Sequence, residues 1–301
     1  MKDMKYTEQQ LVNWTAPLSD TEDKRAQQTI SMIKSAIDSA EGLKKIETEV
    51  FLQGSYANNT NVRNNSDVDV CVMCKSTFFH SFPDGLDNSY YGFPEGTITY
   101  HEYKSLVVDA LRNKFGAYSV AVGNKSVKIK SNSYRVDADV VPAFQYRDYR
   151  IIGSRNRDKF IEGIKLLAQD GSTVINYPKI HLRNGTEKNK ATNHRYKNLV
   201  RIVKHIRNNM VDDGVINGDI ISSFLVECLV WNFSNSNINN FTDYTNLLRN
   251  FIAIEWNQMK RGEHKEWGEV SECLYLFRGH KWTDKDAQDF LLKMWGYLNF
   301  E

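Results

Sequence analysis

No uninterrupted apolar run in this chain approaches the ~20 residues that a membrane span needs. The N-terminal MKDMKYTEQQ is polar with no hydrophobic segment behind it, so the chain reads as cytoplasmic and unprocessed. Cysteine is sparse: four in 301 residues do not make a disulfide framework. Cys71 and Cys74 form a C-x-x-C, but inside an apolar stretch with no second pair near, and Cys228 and Cys273 stand alone. Buried thiols, rather than a zinc site, are the expectation. An excess of one charge is also missing. With 39 Lys and Arg against 37 Asp and Glu, the net charge of +2 excludes a global field for coating nucleic acid, and any basic patch must be local. Repeats and low-complexity segments are absent. So are a Walker A lysine motif, G-x-G-x-x-G and G-x-S-x-G, which argues against P-loop, Rossmann and serine-hydrolase chemistry. The histidines are scattered, and none pairs with another at metal-ligand spacing.

What is present is an ordinary globular composition, 41% hydrophobic and 25% charged, in a length that suits one large domain or two lobes. An arm over residues 1–18 precedes a helix from about 21 to 40, capped by Ser19-Asp20-Thr21-Glu22 and closed by Gly42. Strand signals follow at Val50–Leu52 and Asp67–Val72, with an aromatic loop or lid over 76–98 and a helix over His101–Lys114. A hairpin is expected over 118–130 and a strand over Tyr134–Phe144, ended by Pro142. From about 150 the reading is helical: Asp158–Gln169, Thr192–Met210, Ile220–Phe233, Tyr244–Met259 and Asp284–Leu298, with Asn176–Ala191 as a basic connection. The expected architecture is an α+β lobe over 1–150 and a helical lobe over 151–301. The cleft between two such lobes is the default site.

The chemistry concentrates in VFLQGSYANNTNVRNNSDVDV (residues 50–70). Acid alternates with valine, so on a strand Asp67 and Asp69 share one face while Val68, Val70 and Val72 enter a core. Carboxylates held that close repel, a cost a protein accepts when a cation sits between them. Upstream, Gly54-Ser55 is a turn where backbone can approach a phosphate. Asp137 and Asp139 repeat the alternation. Two metals bridging a triphosphate need about three carboxylates on one surface. Asp67, Asp69 and one of the second pair meet that need, and the fourth acid either acts as base or faces solvent. Asp has poor β-propensity, which weighs against reading both strands as the polar face of a half-solvated sheet.

A helical stripe of Lys197, Arg201, Lys204 and Asn208 lies opposite Leu199, Ile202, Val203, Ile206 and Met210. Lys179, Arg183, Lys188, Lys190, Arg195 and Arg207 crowd the same stretch, a cationic concentration suited to a polyphosphate.

Gly-Ser, a spacer of about a dozen residues, D-x-D on a strand and a later strand Asp make the pattern of polymerase-β-like nucleotidyltransferases. QGSYANNTNVRNNSDVDV, VDADVVPAF and NYPKIHLRNGTEKNKATNHRYKNLVRIVKHIRN together resemble the bacterial CD-NTases. Those are relatives of cyclic GMP-AMP synthase and oligoadenylate synthetase that make cyclic nucleotide signals in anti-phage (CBASS) defence. The resemblance runs from about residue 50 to 233, and more loosely over the whole chain. It implies an α+β nucleotidyltransferase core sheet with a helical C-terminal lobe. It also implies Asp67, Asp69 and Asp139 as metal ligands, with Asp139 favoured by its place before Val-Val-Pro. Gly54 and Ser55 would hold the donor triphosphate with Gln53, Thr60 and Arg63 beside them. Lys204 and Ser223 would grip it from the helical lobe, with Lys197 a further candidate. Asn176, in the N-Y-P context, matches the residue that reads uracil in one clade, implying UTP use with ATP, and GTP as another substrate. The implied cofactor is Mg²⁺, with Mn²⁺ as a substitute. The expected partners are nucleoside triphosphates and a downstream effector that senses the product, acting on a monomer with no stable nucleic-acid partner and no membrane. The alternatives are an RNA- or protein-directed nucleotidyltransferase, or a non-catalytic nucleotide-sensing module.

Overall fold

The computed structural model describes residues 4–17, 19–62 and 67–300. In chain order the early elements are α1 (Glu8–Asn13), α2 (Asp20–Asp38), β1 (Thr48–Gln53), α3 (Gly54–Ala57), β2 (Val68–Ser81), α4 (Asn88–Tyr91) and α5 (Tyr100–Phe115). The strands β3 (Val120–Val122), β4 (Val127–Ile129), β5 (Ala138–Asp148), β6 (Ile161–Leu167) and β7 (Thr173–Asn176) follow. Helices close the chain: α6 (Pro178–Ala191), α7 (Arg195–Asp212), α8 (Ser223–Asn232), α9 (Asn235–Asn239), α10 (Tyr244–Lys260) and α11 (Asp284–Tyr297).

The residues sort into two compact units, one of 18–57 and 63–179, the other of 1–17, 58–62 and 180–301. The boundary therefore falls near 179 rather than at 150. The reason is that 158–169, expected to be helical, forms β6, which pairs antiparallel with β5 and β7. Gly163 lies in that strand with the Asn176 carbonyl so near that a Cβ would come within 2.8 Å of it. Two further expectations change. Asn176–Ala191 is mostly the helix α6, opened by Pro178, whose fixed φ suits a first helical position. The N-terminal arm holds α1, with a Thr7–Gln10 capping box, and groups with the helical unit.

The first unit is a seven-stranded sheet in the order β1-β2-β5-β4-β3, with β6 and β7 continuing from the far end of β5. β2 and β5 are parallel neighbours, and Val68, Val70, Cys71, Val72 and Met73 are all fully buried, so beyond Asp69 the strand is covered on both faces. β5 does not end at Pro142 but continues to Asp148. On its other edge β4 covers Ala138 to Val140 and β6 covers Phe144 to Asp148, so the proline falls where the partner changes. α2 and α5 supply Ile33, Ile37, Val107 and Leu111 to the sheet's core. A satellite aromatic cluster of Tyr91, Phe93 and Tyr149 replaces much of the expected 76–98 loop, because β2 runs on to Ser81.

The second unit is helical around buried residues of α7, α8, α10 and α11. Glu8 accepts from the Tyr244 and Thr245 backbone N–H groups at 2.7 and 2.8 Å, capping α10 from a distant part of the chain. No helix among the described residues is long and apolar enough to cross a membrane. Cys71, Cys74 and Cys228 are buried thiols outside any disulfide, and the half-buried Cys273 thiol donates to the Ser271 carbonyl.

One acid in this core carries a pH signature. Glu255 of α10 is 0% exposed, and neither carboxyl oxygen has a hydrogen-bond partner among the described residues. Burial pushes its carboxyl well above the usual range, and Lys188 offsets only part of that. A raised carboxyl is protonated in the fold, so its contribution is intact below the unfolded pKa and is lost as pH rises towards the folded value. Each pH unit in that window costs about 1.4 kcal/mol. Glu255→Gln should therefore match the wild type in urea midpoint near pH 4 and exceed it increasingly from pH 5 to 7. A gap that does not change with pH would contradict this assignment.

Candidate active site

The sheet brings the acids together through strand register. Val68 pairs with Ala138 and Asp69 with Asp139 across the parallel β2–β5 ladder, so the two aspartates are direct neighbours on adjacent strands. Asp67 and Asp137 each stand just ahead of their strand, where the Val68 N–H donates to the Asp137 carbonyl at 3.0 Å. Burial pushes the Asp69 carboxyl up to about 7, with Asp139 and then Asp67 adding to the rise. Asp67 is raised as well, first by burial, then by Asp139 and Asp137, against a smaller opposing effect of Lys128. Lys128 lies opposite Asp139 in β4, and the Ser126 hydroxyl donates to Asp139 Oδ1 at 3.1 Å.

Asp137 has a different occupation. Its Oδ1 accepts the Ser131 backbone N–H at 2.6 Å, closing the turn that leads into β5. Asp139 differs in being the direct register partner of Asp69, a distinction that spacing alone leaves open. Three hard carboxylate oxygens that repel one another suit a hard divalent cation such as Mg²⁺. Among the described residues no three acid, thiol or imidazole groups converge as ready-made ligands of one ion. The fit thus rests on donor chemistry and on the repulsion a cation would relieve.

Gln53, the last residue of β1, is the register partner of Asp69. Gly54 follows at φ +69°, and a Cβ there would lie 2.1 Å from Asp69 Oδ2. No side chain fits between this turn and the carboxylate, which is the physical reason for glycine. Ser55 lies in α3, whose Tyr56 hydroxyl bonds Asp23 Oδ1 and accepts from Gln27 at 3.3 Å, fixing the turn to α2. Burial and the Asp23 carboxylate raise that phenol to about 12. Asn176 ends β7 with its side chain exposed, while the adjacent Tyr177 is buried and donates to Asp148 Oδ2 at 2.8 Å. No hydrogen bond of the Asn176 amide is found among the described residues, so it is not the locally bonded turn amide one would otherwise expect.

In the helical unit the expected residues are placed differently. Thr60 is fully buried, and its hydroxyl donates to Glu227 Oε2 at 2.9 Å and accepts from Lys204 Nζ at 3.1 Å. Lys204, 2% exposed, forms an ion pair of 2.7 Å with Glu227. Here Thr60 and Lys204 bind one another and Glu227 rather than presenting free groups, because a buried ammonium must be paired. His181 Nε2 meets the other Glu227 oxygen at 3.0 Å. Burial raises the Glu227 carboxyl, but Lys204 and His181 outweigh it and hold the group well below the usual range. Arg201 donates to the Asn59 and Thr15 carbonyls at 2.6 and 2.7 Å, holding the same 58–62 segment. Lys197 is nearly buried, and burial lowers its ammonium pKa. Ser223 is the first residue of α8, and the neighbouring Ser222 does the capping by accepting the Leu225 N–H at 3.1 Å. Arg63 lies outside the described residues. Glu227 was not foreseen; the available signal was a lone acid inside the apolar run IISSFLVECLVWNF.

Comparison with known proteins agrees with this geometry. Residues 31–198 match the family described as nucleotidyltransferase domain, and 183–299 match the cGAS/DncV-like nucleotidyltransferase C-terminal helical domain. The chain is 43% identical over 298 residues to the cyclic dipyrimidine nucleotide synthase CdnE of Cecembia lonarensis, covering 98% of this chain and 99% of that one. It is similar to the solved CdnE c-UMP-AMP synthase of Rhodothermus marinus with Apcpp and Upnpp, at 31% identity and a TM-score of 0.85, covering 96% of this chain and 95% of that one. It is also similar to the CdnE cyclic dinucleotide synthase of Elizabethkingia meningoseptica with GTP and Apcpp, at 36% identity and a TM-score of 0.82, covering 98% and 100%. With an aspartate pair in parallel register, a glycine turn against it and a helical C-terminal domain of this type, the chain belongs to the bacterial CdnE-type CD-NTases and is a nucleotidyltransferase.

Proposed function

We propose that this enzyme joins nucleoside triphosphates into a uracil-containing cyclic dinucleotide, such as cyclic UMP-AMP or di-UMP, with release of pyrophosphate, as part of anti-phage signalling. The observation that carries this is the in-register Asp69–Asp139 pair with Asp67 beside it and Gly54 packed against Asp69. Asp67, Asp69 and Asp139 would hold the divalent ions, Mg²⁺ or Mn²⁺. Those ions supply Lewis-acid activation of the attacking hydroxyl and charge neutralisation at the triphosphate. The chain's own groups orient the reactants. Gly54 lets the turn come close to the donor phosphates and Ser55 adds a hydroxyl, flanked by Gln53. The Ser126 hydroxyl donates to the Asp139 carboxylate and aims it. Ser223, at the start of α8, and Lys197 are the helical unit's phosphate ligands in this reading, with Lys204 available once its contact with Glu227 is exchanged for phosphate.

Use of uracil is supported by the exposed Asn176 amide, which has no hydrogen bond among the described residues and can pair with a pyrimidine O/N–H edge. It is also supported by the dipyrimidine and UMP-AMP activities of the Cecembia and Rhodothermus relatives. The Elizabethkingia relative, seen with GTP and Apcpp, makes purine use the comparison to beat. With all four triphosphates present, the wild type should consume UTP in preference to CTP and GTP. Asn176→Ser should lower UTP use relative to ATP by about tenfold, the size of one lost hydrogen-bonded base contact. An unchanged UTP preference in that variant would remove Asn176 from the base-reading role.

A further inference from the structure

The row that carries the aspartates continues past them. Gln53 pairs with Asp69, Asp69 with Asp139, Asp139 with Lys128 and Lys128 with Ala121, one residue from each of β1, β2, β5, β4 and β3. Register partners project to the same face of a sheet, so these five side chains form a single line across it. Beginning at the Gln53–Gly54 turn, the line reads acid, acid, cation, small residue. Val127 and Ile129 are buried on the opposite face, which leaves Lys128 exposed on the side of the acids. A strand spacing of about 4.8 Å puts the Lys128 backbone one strand beyond Asp139 and about 14 Å from that of Gln53.

A counter-ion for the acids would be the plain role of such a lysine, but the contacts do not give it that role. Among the described residues the Lys128 ammonium has no ion pair and no hydrogen bond, although Asp139 is its direct partner. Asp139 takes the Ser126 hydroxyl instead. Other lysines of this unit do pair: Lys75 with Glu47 at 3.2 Å, and Lys179 with Glu49 and Glu162 at 2.6 and 2.7 Å. Joining two nucleotides has a use for the spare cation. The donor's phosphates belong to the Gly54 end of the line. In an in-line displacement the entering hydroxyl stands opposite the leaving pyrophosphate, so the acceptor comes from the Asp139 end. That acceptor carries phosphates of its own, and the three carboxylates repel them. An exposed ammonium on a flexible stem, one strand beyond Asp139, offsets the repulsion on that side. Ala121, small and exposed past it, adds no bulk there.

We propose, resting on the synthase activity put forward above, that Lys128 is an acceptor-binding residue whose ammonium holds the 5′-phosphates of the nucleotide that attacks. The test separates donor from acceptor in reactions of the full chain with Mg²⁺. A 2′,3′-dideoxynucleoside triphosphate of adenine or uracil can only donate, since it has no ribose hydroxyl to attack with. α,β-Methylene ATP or UTP can only accept, and adenosine or uridine accepts without phosphate. In each joining the acceptor's oxygen bonds to the donor's α-phosphorus, the bond to pyrophosphate breaks, and the hydroxyl proton goes to water. In Lys128→Met the KM of the methylene acceptor should rise about tenfold or more, the size of one charge-assisted contact, while the KM of the donor changes little. The advantage of the methylene acceptor over the bare nucleoside should shrink with it. Lys128→Arg should restore most of the acceptor KM, and Ala121→Asp, which sets an acid against Lys128 at the sheet's edge, should raise it. Lys128 is exposed, so these variants keep the fold. Damage to the acids would raise both KM values or lower kcat alone. An acceptor KM that stays at the wild-type value in Lys128→Met, or rises only together with that of the donor, overturns the proposal and leaves the synthase activity standing. A wild type that joins no donor to any acceptor overturns both.

Discussion

Asp69→Asn should lower cyclic-nucleotide synthesis by about a thousandfold or more, a loss of about 4 kcal/mol of transition-state stabilisation. The substitution keeps the shape of the side chain beside Gly54 and removes only the charge, so the turn and the β2–β5 ladder have no cause to change. Stability should move in the opposite direction. Asp69 is mostly buried and shares its surroundings with Asp139 and Asp67, and its pKa is raised to about 7. A carboxyl raised in the fold contributes fully below its unfolded pKa, and that contribution is lost as pH climbs through the folded value. At pH 8 and without divalent ions, the asparagine variant should therefore unfold at a higher temperature than the wild type. Mg²⁺ should stabilise the wild type more than the variant, because the repulsion it would relieve is smaller once Asp69 is neutral. Differential scanning fluorimetry with and without Mg²⁺ reads this directly. An inactive variant that also melts lower would mean that its inactivity reflects damage to the fold.

Glu227→Ala should give the largest loss of stability among the substitutions considered, about 3–5 kcal/mol, because it leaves Lys204 buried and without its counter-charge. The Glu227 carboxylate lies within 3.0 Å of Lys204, Thr60 and His181, so one truncation breaks all three contacts. Its pKa is depressed, so its contribution is fully present above the unfolded value near 4.5 and is lost as pH falls below it. Chemical denaturation of Glu227→Ala and of the double variant Glu227→Met with Lys204→Met separates two accounts. A restored midpoint in the double variant identifies the pair's main role as mutual neutralisation. If its activity stays lost while stability returns, Lys204 also acts on the nucleotide. If neither recovers, the network does more than neutralise charge.

The acid–valine alternation made the candidate acidic face legible from sequence, because strand periodicity places Asp67 with Asp69 and Asp137 with Asp139 without any tertiary knowledge. What periodicity could not supply was register between strands, which sets Asp69 against Asp139 and gives Asp137 to the Ser131 N–H. DKFIEGIKLLAQ reads as helix or strand with equal ease; its Ile161, Ile164 and Leu167 fit a helical stripe. Pairing with β5 decides the matter, and that partner lies far off in the chain. α6 escaped notice because its apolar face is thin and it contains Gly185. The helical unit's network was missed for a related reason. A basic stripe looks like a solvated face until burial shows that Lys204 and Arg201 point into acid and carbonyl partners.

The most direct measurement is mass spectrometry of phosphatase-treated reactions containing Mg²⁺ and all four nucleoside triphosphates, run in parallel with wild type and Asp139→Asn. The predicted result is a phosphatase-resistant cyclic dinucleotide containing uracil from the wild type and none from the variant. Wild-type protein that yields only linear or RNA-attached products, or an Asp139→Asn variant that keeps making the cyclic one, would contradict the account.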